Sequence, residues 1–114
     1  MEKKKFYISE KGSLIKYTEL SEYTNLPLVF GKNINFSKIF DIITNTGFPM
    51  SEIKSFYYFE SDRWDIVLNN EIIIKLPIKN YSKALKNFIS INKDKNFEKF
   101  SSFDYRIKDQ LILK

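Results

Sequence analysis

The sequence predicts an α+β domain: a mostly antiparallel β-sheet with two helices packed on one side and a terminal strand or hairpin at the sheet edge. Three observations predict this class. Two segments carry apolar residues at helical spacing, several shorter ones alternate as strands do, and the order is strands, helix, strands, helix, strands. With 114 residues, 43 % of them hydrophobic, we expect residues 1–114 to form a single domain with a real core.

The first strands precede the first helix. KFYIS at 5–9 and SLIKYT at 13–18 predict a hairpin with Gly12 in its turn. LPLVFG at 26–31 predicts a short strand that Pro27 opens, because a missing N–H suits the first residue of a strand.

Two stretches predict amphipathic helices. In NFSKIFDIITNTG we expect Asn35 to cap the start and Gly47 to close the end in the left-handed conformation. In NYSKALKNFISIN the expected cap is Asn80 or Ser82. The apolar stripes are Phe36, Ile39, Phe40 and Ile43 in the first helix, and Tyr81, Leu85, Phe88 and Ile89 in the second.

The central segments predict a strand and then a hairpin. EIKSFYYFE at 52–60 is aromatic and extended, and RWDIVLNNEIIIKLP follows it. A three-residue loop places the apolar residues of both arms on one face, whereas a two-residue loop would misalign them. That loop gives Glu71 a positive φ, a strain of about 1 kcal/mol relative to Gly. The expected pairs are Trp64 with Leu76, Ile66 with Ile74, Leu68 with Ile72 and, on the outer face, Asp65 with Lys75.

The composition argues against several function classes. The chain has no Cys and no His, which removes the usual zinc ligands, thiol nucleophiles and the commonest general base. No phosphate loop and no convergent set of carboxylates is evident, so we expect no enzyme, cofactor or metal. The net charge of +5 keeps a nucleic-acid-binding domain as an alternative. Its cations are nearly all Lys, with Arg only at Arg63 and Arg106, which argues against base and phosphate recognition.

The tail raises the sharpest functional question. FDYRI predicts Phe103, Tyr105 and Ile107 on one strand face, followed by a turn at KDQ and a short apolar strand, QLILK. That strand is either an interior strand or an open edge that accepts a guest strand. Arg63 and Arg106 either form internal bidentate pairs, for instance with Asp104, or clamp an acidic partner. Trp64, in phase with its apolar neighbours, is expected in the core rather than facing a partner.

Four motifs in order resemble a known family. RWDIVLNNEIIIKLP resembles the RWDL-x-L-x-NG-(I/V)-x-(V/I)-KLP stretch of the bacterial cell-division proteins FtsQ and DivIB, and FDYRIKDQLIL resembles their iDLR-x-x-D-(R/K)-(L/V)-x-(V/L) ending. KFYISEKGSLI is similar to fyLIDxxGxvI, and LPLVFG to LPvixG. The match corresponds to the family's C-terminal β domain. This chain departs from it at Glu71 for the turn glycine, Ser9 for aspartate, and Tyr105 for the leucine of DLR.

The resemblance implies a non-enzymatic divisome scaffold in septum assembly. It implies a single-pass inner-membrane protein with this domain on the periplasmic side, the transmembrane helix and POTRA domain being absent from this chain. The implied partners are FtsB, FtsL through FtsB, and other divisome proteins, with no nucleic acid and no membrane contact except through the missing segment. An unrelated sheet-based interaction module stays an alternative. Carried over by position, the implied partner-binding residues are Arg106, Ile107, Lys108, Asp109, Leu111, Ile112 and Leu113, with Arg63 as a weaker candidate.

Overall fold

A computed structural model describes residues 4–8, 14–16, 27–31 and 36–114. The strands are β1 (Lys4–Ile8), β2 (Leu14–Lys16), β3 (Leu28–Gly31), β4 (Ile53–Phe59), β5 (Arg63–Leu68), β6 (Ile73–Lys75), β7 (Ser102–Asp104) and β8 (Ile112–Leu113). The helices are α1 (Phe36–Thr46) and α2 (Tyr81–Ile91). Short 3-10 turns span Met50–Glu52 and Lys95–Phe97.

All described strands form one sheet in the order β2-β1-β3-β4-β5-β6-β7-β8. The β3–β4 and β6–β7 pairs are parallel, and the other five are antiparallel. Each parallel pair is joined across a helix, α1 in the first case and α2 in the second, because parallel strands need a long crossover connection. The α+β class with a mostly antiparallel sheet and a terminal edge strand is therefore confirmed.

One row of apolar residues crosses the inner face of the sheet. The register aligns the six strands from β3 to β8 so that each contributes one residue to this row: Val29, Phe56, Ile66, Ile74, Phe103 and Leu113. From α1, the ring of Phe36 lies 5.1 Å from that of Phe56, and from α2 the ring of Phe88 lies 4.9 Å from that of Phe103. Both helices therefore pack on this one face and close the core between them and the sheet.

The central hairpin has the register that the sequence predicts. Ile66 pairs with Ile74 and Asp65 with Lys75, and the amide of Leu68 donates to the carbonyl of Ile72 at 2.9 Å. Glu71 has φ 71°, so the strained three-residue loop is confirmed. Trp64, whose side chain is almost entirely buried, is a core residue as expected.

Helix ends agree with the sequence at one place and differ at another. Gly47 has φ 77° and its amide donates to Thr44, which ends α1 as predicted. Asn80 precedes α2, but its side chain makes no capping hydrogen bond, so the predicted side-chain cap is wrong. Its φ of 65° is left-handed, whereas a capping side chain needs extended backbone. Ser82 lies inside the helix, and the expected positions of Ser9, Gly12 and Asn35 lie outside the described residues.

Candidate functional site

The terminal hairpin consists of β7, a loop at residues 105–111 and β8. Asp109 adopts φ 59° and the amide of Gln110 donates to the carbonyl of Ile107 at 3.1 Å, so the turn predicted at KDQ is confirmed. β8 pairs with β7 alone among the strands that the structure describes, which places it at the sheet edge.

The backbone of Leu113 faces away from the sheet. Lys114 and Ser102 exchange both hydrogen bonds, with the Lys114 amide donating at 3.1 Å and the Ser102 amide at 3.2 Å. In an antiparallel pair such hydrogen-bonded positions alternate with positions whose N–H and C=O point outward. Leu113, opposite Phe103, is the outward-pointing position. Its side chain packs against the core, so the strand is held in place while its outer edge presents one donor and one acceptor.

Arg106 makes the internal bidentate pair that the sequence left open. Its Nε and Nη2 donate to the two carboxylate oxygens of Asp104 at 2.9 Å and 2.6 Å, and its backbone amide donates at 3.0 Å. The hydrogen bonds from Arg106 lower the pKa of the Asp104 carboxyl, and Asp104 in turn raises the pKa of the guanidinium. Because 45 % of the Arg106 side chain is still exposed, the guanidinium is fixed in direction and accessible at the surface.

Arg63 is held more completely within the domain. Its guanidinium forms an ion pair with Asp65 and lies 4.3 Å above the ring of Phe59. Only 16 % of its side chain is exposed. Asp65, Lys75 and Asp104 lie side by side on neighbouring strands of the outer sheet face. Arg63 therefore belongs to a charged row on that face, and it offers a partner little surface.

A groove runs between α2 and the terminal hairpin. We call it the α2 groove; it is lined by residues 77–80, by residues 105–111, and by Lys83, Ala84 and Asn87 of α2, with a volume of about 730 Å³. The hydroxyl of Tyr105 donates to Oδ1 of Asn87 at 2.8 Å, which joins the two walls. Burial raises the pKa of the Tyr105 hydroxyl, so it stays a neutral donor.

The residues of the groove correct the prediction for Ile107 and include an exposed apolar residue, Ile78, that the sequence analysis missed. Ile107 is not on a strand face with Phe103, because β7 ends at Asp104, and its side chain is 49 % exposed at the groove. Ile78, which we did not single out, is 54 % exposed on the opposite wall. An isoleucine between Pro77 and a lysine, outside any predicted strand or helix, was the available signal.

The arrangement is suited to binding a polypeptide. In the described segments there is no group of three or more His, Cys, Asp and Glu side chains placed to hold a metal. Nor does any helix there have the length and apolar character required to cross a membrane. What the terminal hairpin provides is an open backbone edge, a fixed arginine and a groove with exposed apolar side chains.

Comparison with known proteins identifies the family. Residues 1–106 match the family described as Cell division protein FtsQ/DivIB, C-terminal. The chain belongs to the FtsQ/DivIB family. It is also similar to the Cell division protein FtsQ of Rhizobium meliloti (strain 1021), with 29 % identity over 80 residues. A role in cell division follows from this membership.

The two comparisons cover different stretches of the proteins. The similarity to the Rhizobium meliloti protein covers 68 % of this chain and 26 % of that protein, so the chain spans a minor part of its relative's length. The family match ends at Arg106, immediately before the turn and β8. Residues 107–114, which form the turn and β8, therefore lie beyond the family match.

Proposed function

We propose that residues 1–114 form a single non-enzymatic interaction domain of a divisome scaffold, which captures FtsB, and FtsL through FtsB, during septum assembly. The domain acts on the periplasmic side of the inner membrane as part of a single-pass membrane protein. Membership of the FtsQ/DivIB family supports the cell-division context. The mode of capture is addition of a partner strand to β8.

The observation that supports strand addition is the outward backbone of Leu113. An edge strand with an unpaired donor and acceptor is a template for another strand, and main-chain hydrogen bonds supply affinity without requiring a particular side chain. β8 is only two residues long, which limits unspecific pairing, and β7 supports it from the other side. A guest strand would extend the existing sheet by one strand.

The side chains around β8 would select the guest. Asp104 occupies Nε and Nη2 of Arg106, so a partner carboxylate would approach the exposed remainder of the guanidinium, which carries five N–H donors in all. The bidentate pair with Asp104 holds the guanidinium in one orientation, which lowers the entropic cost of that contact. The same edge is flanked by Ile107, Lys108, Asp109 and Leu111 in the turn and by Ile112 on the outer face. Arg63 is the weaker candidate for partner contact, because its guanidinium is paired with Asp65 and mostly covered.

The test is a pair of substitutions at one position. Leu113→Pro removes the outward N–H, whereas Leu113→Ala shortens the side chain and keeps that N–H. We expect a synthetic peptide of the FtsB strand to bind the wild type and the alanine variant with similar affinity and to lose measurable binding to the proline variant, by isothermal titration calorimetry. Circular dichroism checks that both variants fold. Equal affinity of the proline variant would rule out strand addition at β8.

A further inference from the structure

We infer that Lys75 is a specificity-determining residue: it gives the surroundings of Arg106 a net positive charge and so makes the domain prefer an acidic partner strand over a neutral one. This inference rests on the proposed function, because it concerns the strand that β8 would capture. The role falls to a side chain on the outer face of β6, which is not an edge strand and does not line the α2 groove.

The charges of Arg106 and Asp104 cancel when these two side chains are considered by themselves. The guanidinium donates to both carboxylate oxygens, at 2.9 Å and 2.6 Å, so one positive charge lies against one negative charge. A partner carboxylate that approaches the exposed part of the guanidinium is attracted by Arg106 and repelled by Asp104 from a similar distance. An arginine paired in this way therefore needs a further cation nearby before it selects acidic side chains.

Lys75 is the cation that faces this pair from the neighbouring strand. The register of β6 and β7 sets Lys75 beside Asp104, and the register of β5 and β6 sets it beside Asp65. On the other side of Asp104, β8 contributes the uncharged Ile112. In the described part of the chain Lys75 forms no direct ion pair, so its charge acts on both neighbouring carboxylates. Lys75 therefore offsets the negative charge that Asp104 brings to the site.

The charged row, by which we mean Arg63, Asp65, Lys75, Asp104 and Arg106, acts as one electrostatic unit. The hydrogen bond from Arg106 is the largest cause that lowers the pKa of Asp104, and the charge of Lys75 lowers it further. In the same way Asp104 raises the pKa of Arg106, and the charge of Asp65 adds to that rise. Arg63 balances Asp65 through its ion pair, and Lys75 balances Asp104. The charge left over in the row is that of Arg106.

Burial distinguishes Lys75 from the exposed lysines of the turn. Lys75 is half-buried, whereas Lys108, two residues from Arg106, is exposed. Solvent and salt screen an exposed charge strongly, and they screen a partly buried one less. Two strand spacings, on the order of 10 Å, are close to the Debye length at physiological salt. At that separation one unit charge changes the affinity for a carboxylate by about threefold.

The first test measures selectivity by isothermal titration calorimetry. We expect the wild type to bind the FtsB strand peptide about tenfold more tightly than a version whose Asp and Glu residues are changed to Asn and Gln. Lys75→Met keeps the apolar stem of the side chain and removes its charge. It should reduce the preference to about threefold by weakening the acidic peptide only, and Lys75→Arg should keep it near tenfold.

Lys54→Met is the matched control. It makes the same change in net charge on another strand of the sheet, and Lys54 is already paired with Glu71 at 2.7 Å. We expect the preference for the acidic peptide to be unchanged in this variant. Added salt should reduce the preference of the wild type and of Lys54→Met more than that of Lys75→Met, because less electrostatic attraction is left to screen in the last.

A second measurement needs no partner. The pKa of the Asp104 carboxyl, followed by ¹³C NMR during a pH titration, should rise in Lys75→Met, since Lys75 lowers it in the wild type. It should stay unchanged in Lys54→Met. Circular dichroism checks that each variant folds.

The outcomes separate this inference from the proposed function. Strand addition is supported if both peptides bind the wild type and neither binds Leu113→Pro, whatever the preference between them. The same preference in the wild type and Lys75→Met, or an Asp104 pKa that does not move in Lys75→Met, would overturn the role of Lys75 and leave strand addition in place. Failure of both peptides to bind the wild type would overturn both proposals.

Discussion

The central hairpin and the terminal hairpin are built from similar apolar segments, yet they serve the sheet in opposite ways. β5 and β6 are flanked on both sides, and their inward side chains Trp64, Ile66 and Ile74 are almost fully buried. β8 has a neighbour on one side, and Ile112 and Leu113 are half-buried. The comparison teaches that stability is concentrated in the centre of the sheet, which leaves the edge free to present its backbone.

The largest expected effect is at the centre. Trp64→Ala should reduce the free energy of unfolding by about 3–5 kcal/mol, because the indole contacts Phe36, Phe56 and Tyr58 in the core. The matched edge change, Leu113→Ala, should cost less than about 1.5 kcal/mol, because that side chain is half-buried and its site can relax. Urea denaturation of both variants measures the difference. Similar losses would remove the distinction between the two hairpins.

A smaller effect concerns the pair that fixes the edge arginine. Arg106 lowers the pKa of Asp104, so the pair contributes stability that is present above the ordinary Asp pKa of about 4 and is lost as pH falls through the lower folded value. Arg106→Ala should remove about 1 kcal/mol near pH 7, since the arginine is partly exposed and solvent screens the pair.

The pH dependence is the specific signature of that pair. Between about pH 5 and pH 2 the wild type should lose more stability than Arg106→Ala, and the two curves should converge in acid. Arg63→Ala removes the ion pair with Asp65 instead, and it tests whether loss of any arginine from this face gives the same stability curve. A constant offset between wild type and Arg106→Ala at every pH would mean that packing, not the ion pair, explains the loss.

The smallest effect is at the tip of the central hairpin. Glu71→Gly should raise the free energy of unfolding by about 0.5 kcal/mol, because Gly accepts φ 71° without the Cβ penalty. The gain is reduced by loss of the exposed ion pair from Glu71 to Lys54 at 2.7 Å. Lys54→Ala measures that loss separately. A destabilised Glu71→Gly, with Lys54→Ala neutral, would show that the loop is not strained.

Local patterns explain most of what the sequence could predict. The register of the central hairpin followed from side-chain alternation alone, because a one-residue slip would turn every apolar residue outward. Both helices followed from their apolar stripes. The parallel pairings of β3 with β4 and of β6 with β7 were not predicted, since no local signal says which distant strands become neighbours.

The errors occur where backbone conformation departs from the repeating pattern. Asn80 is left-handed and cannot cap α2, and β7 stops at Asp104 where its carboxylate binds the amide of Arg106, so Ile107 leaves the strand face. Neither is visible in a pattern of apolar and polar residues. The α2 groove joins residues about 30 positions apart, and its walls meet only through the crossover that α2 makes.

The hydrogen bond from Tyr105 to Asn87 has a consequence for the rigidity of the sheet edge. Tyr105 directly follows β7 and Asn87 lies on α2, so this bond ties the support of β8 to the helix layer. Because β8 pairs with β7 alone among the described strands, a shift of β8 away from the core would have to break this tie or bend β7. An edge held in this way keeps its outward N–H and C=O groups in one orientation, which lowers the entropy lost if another strand pairs with it.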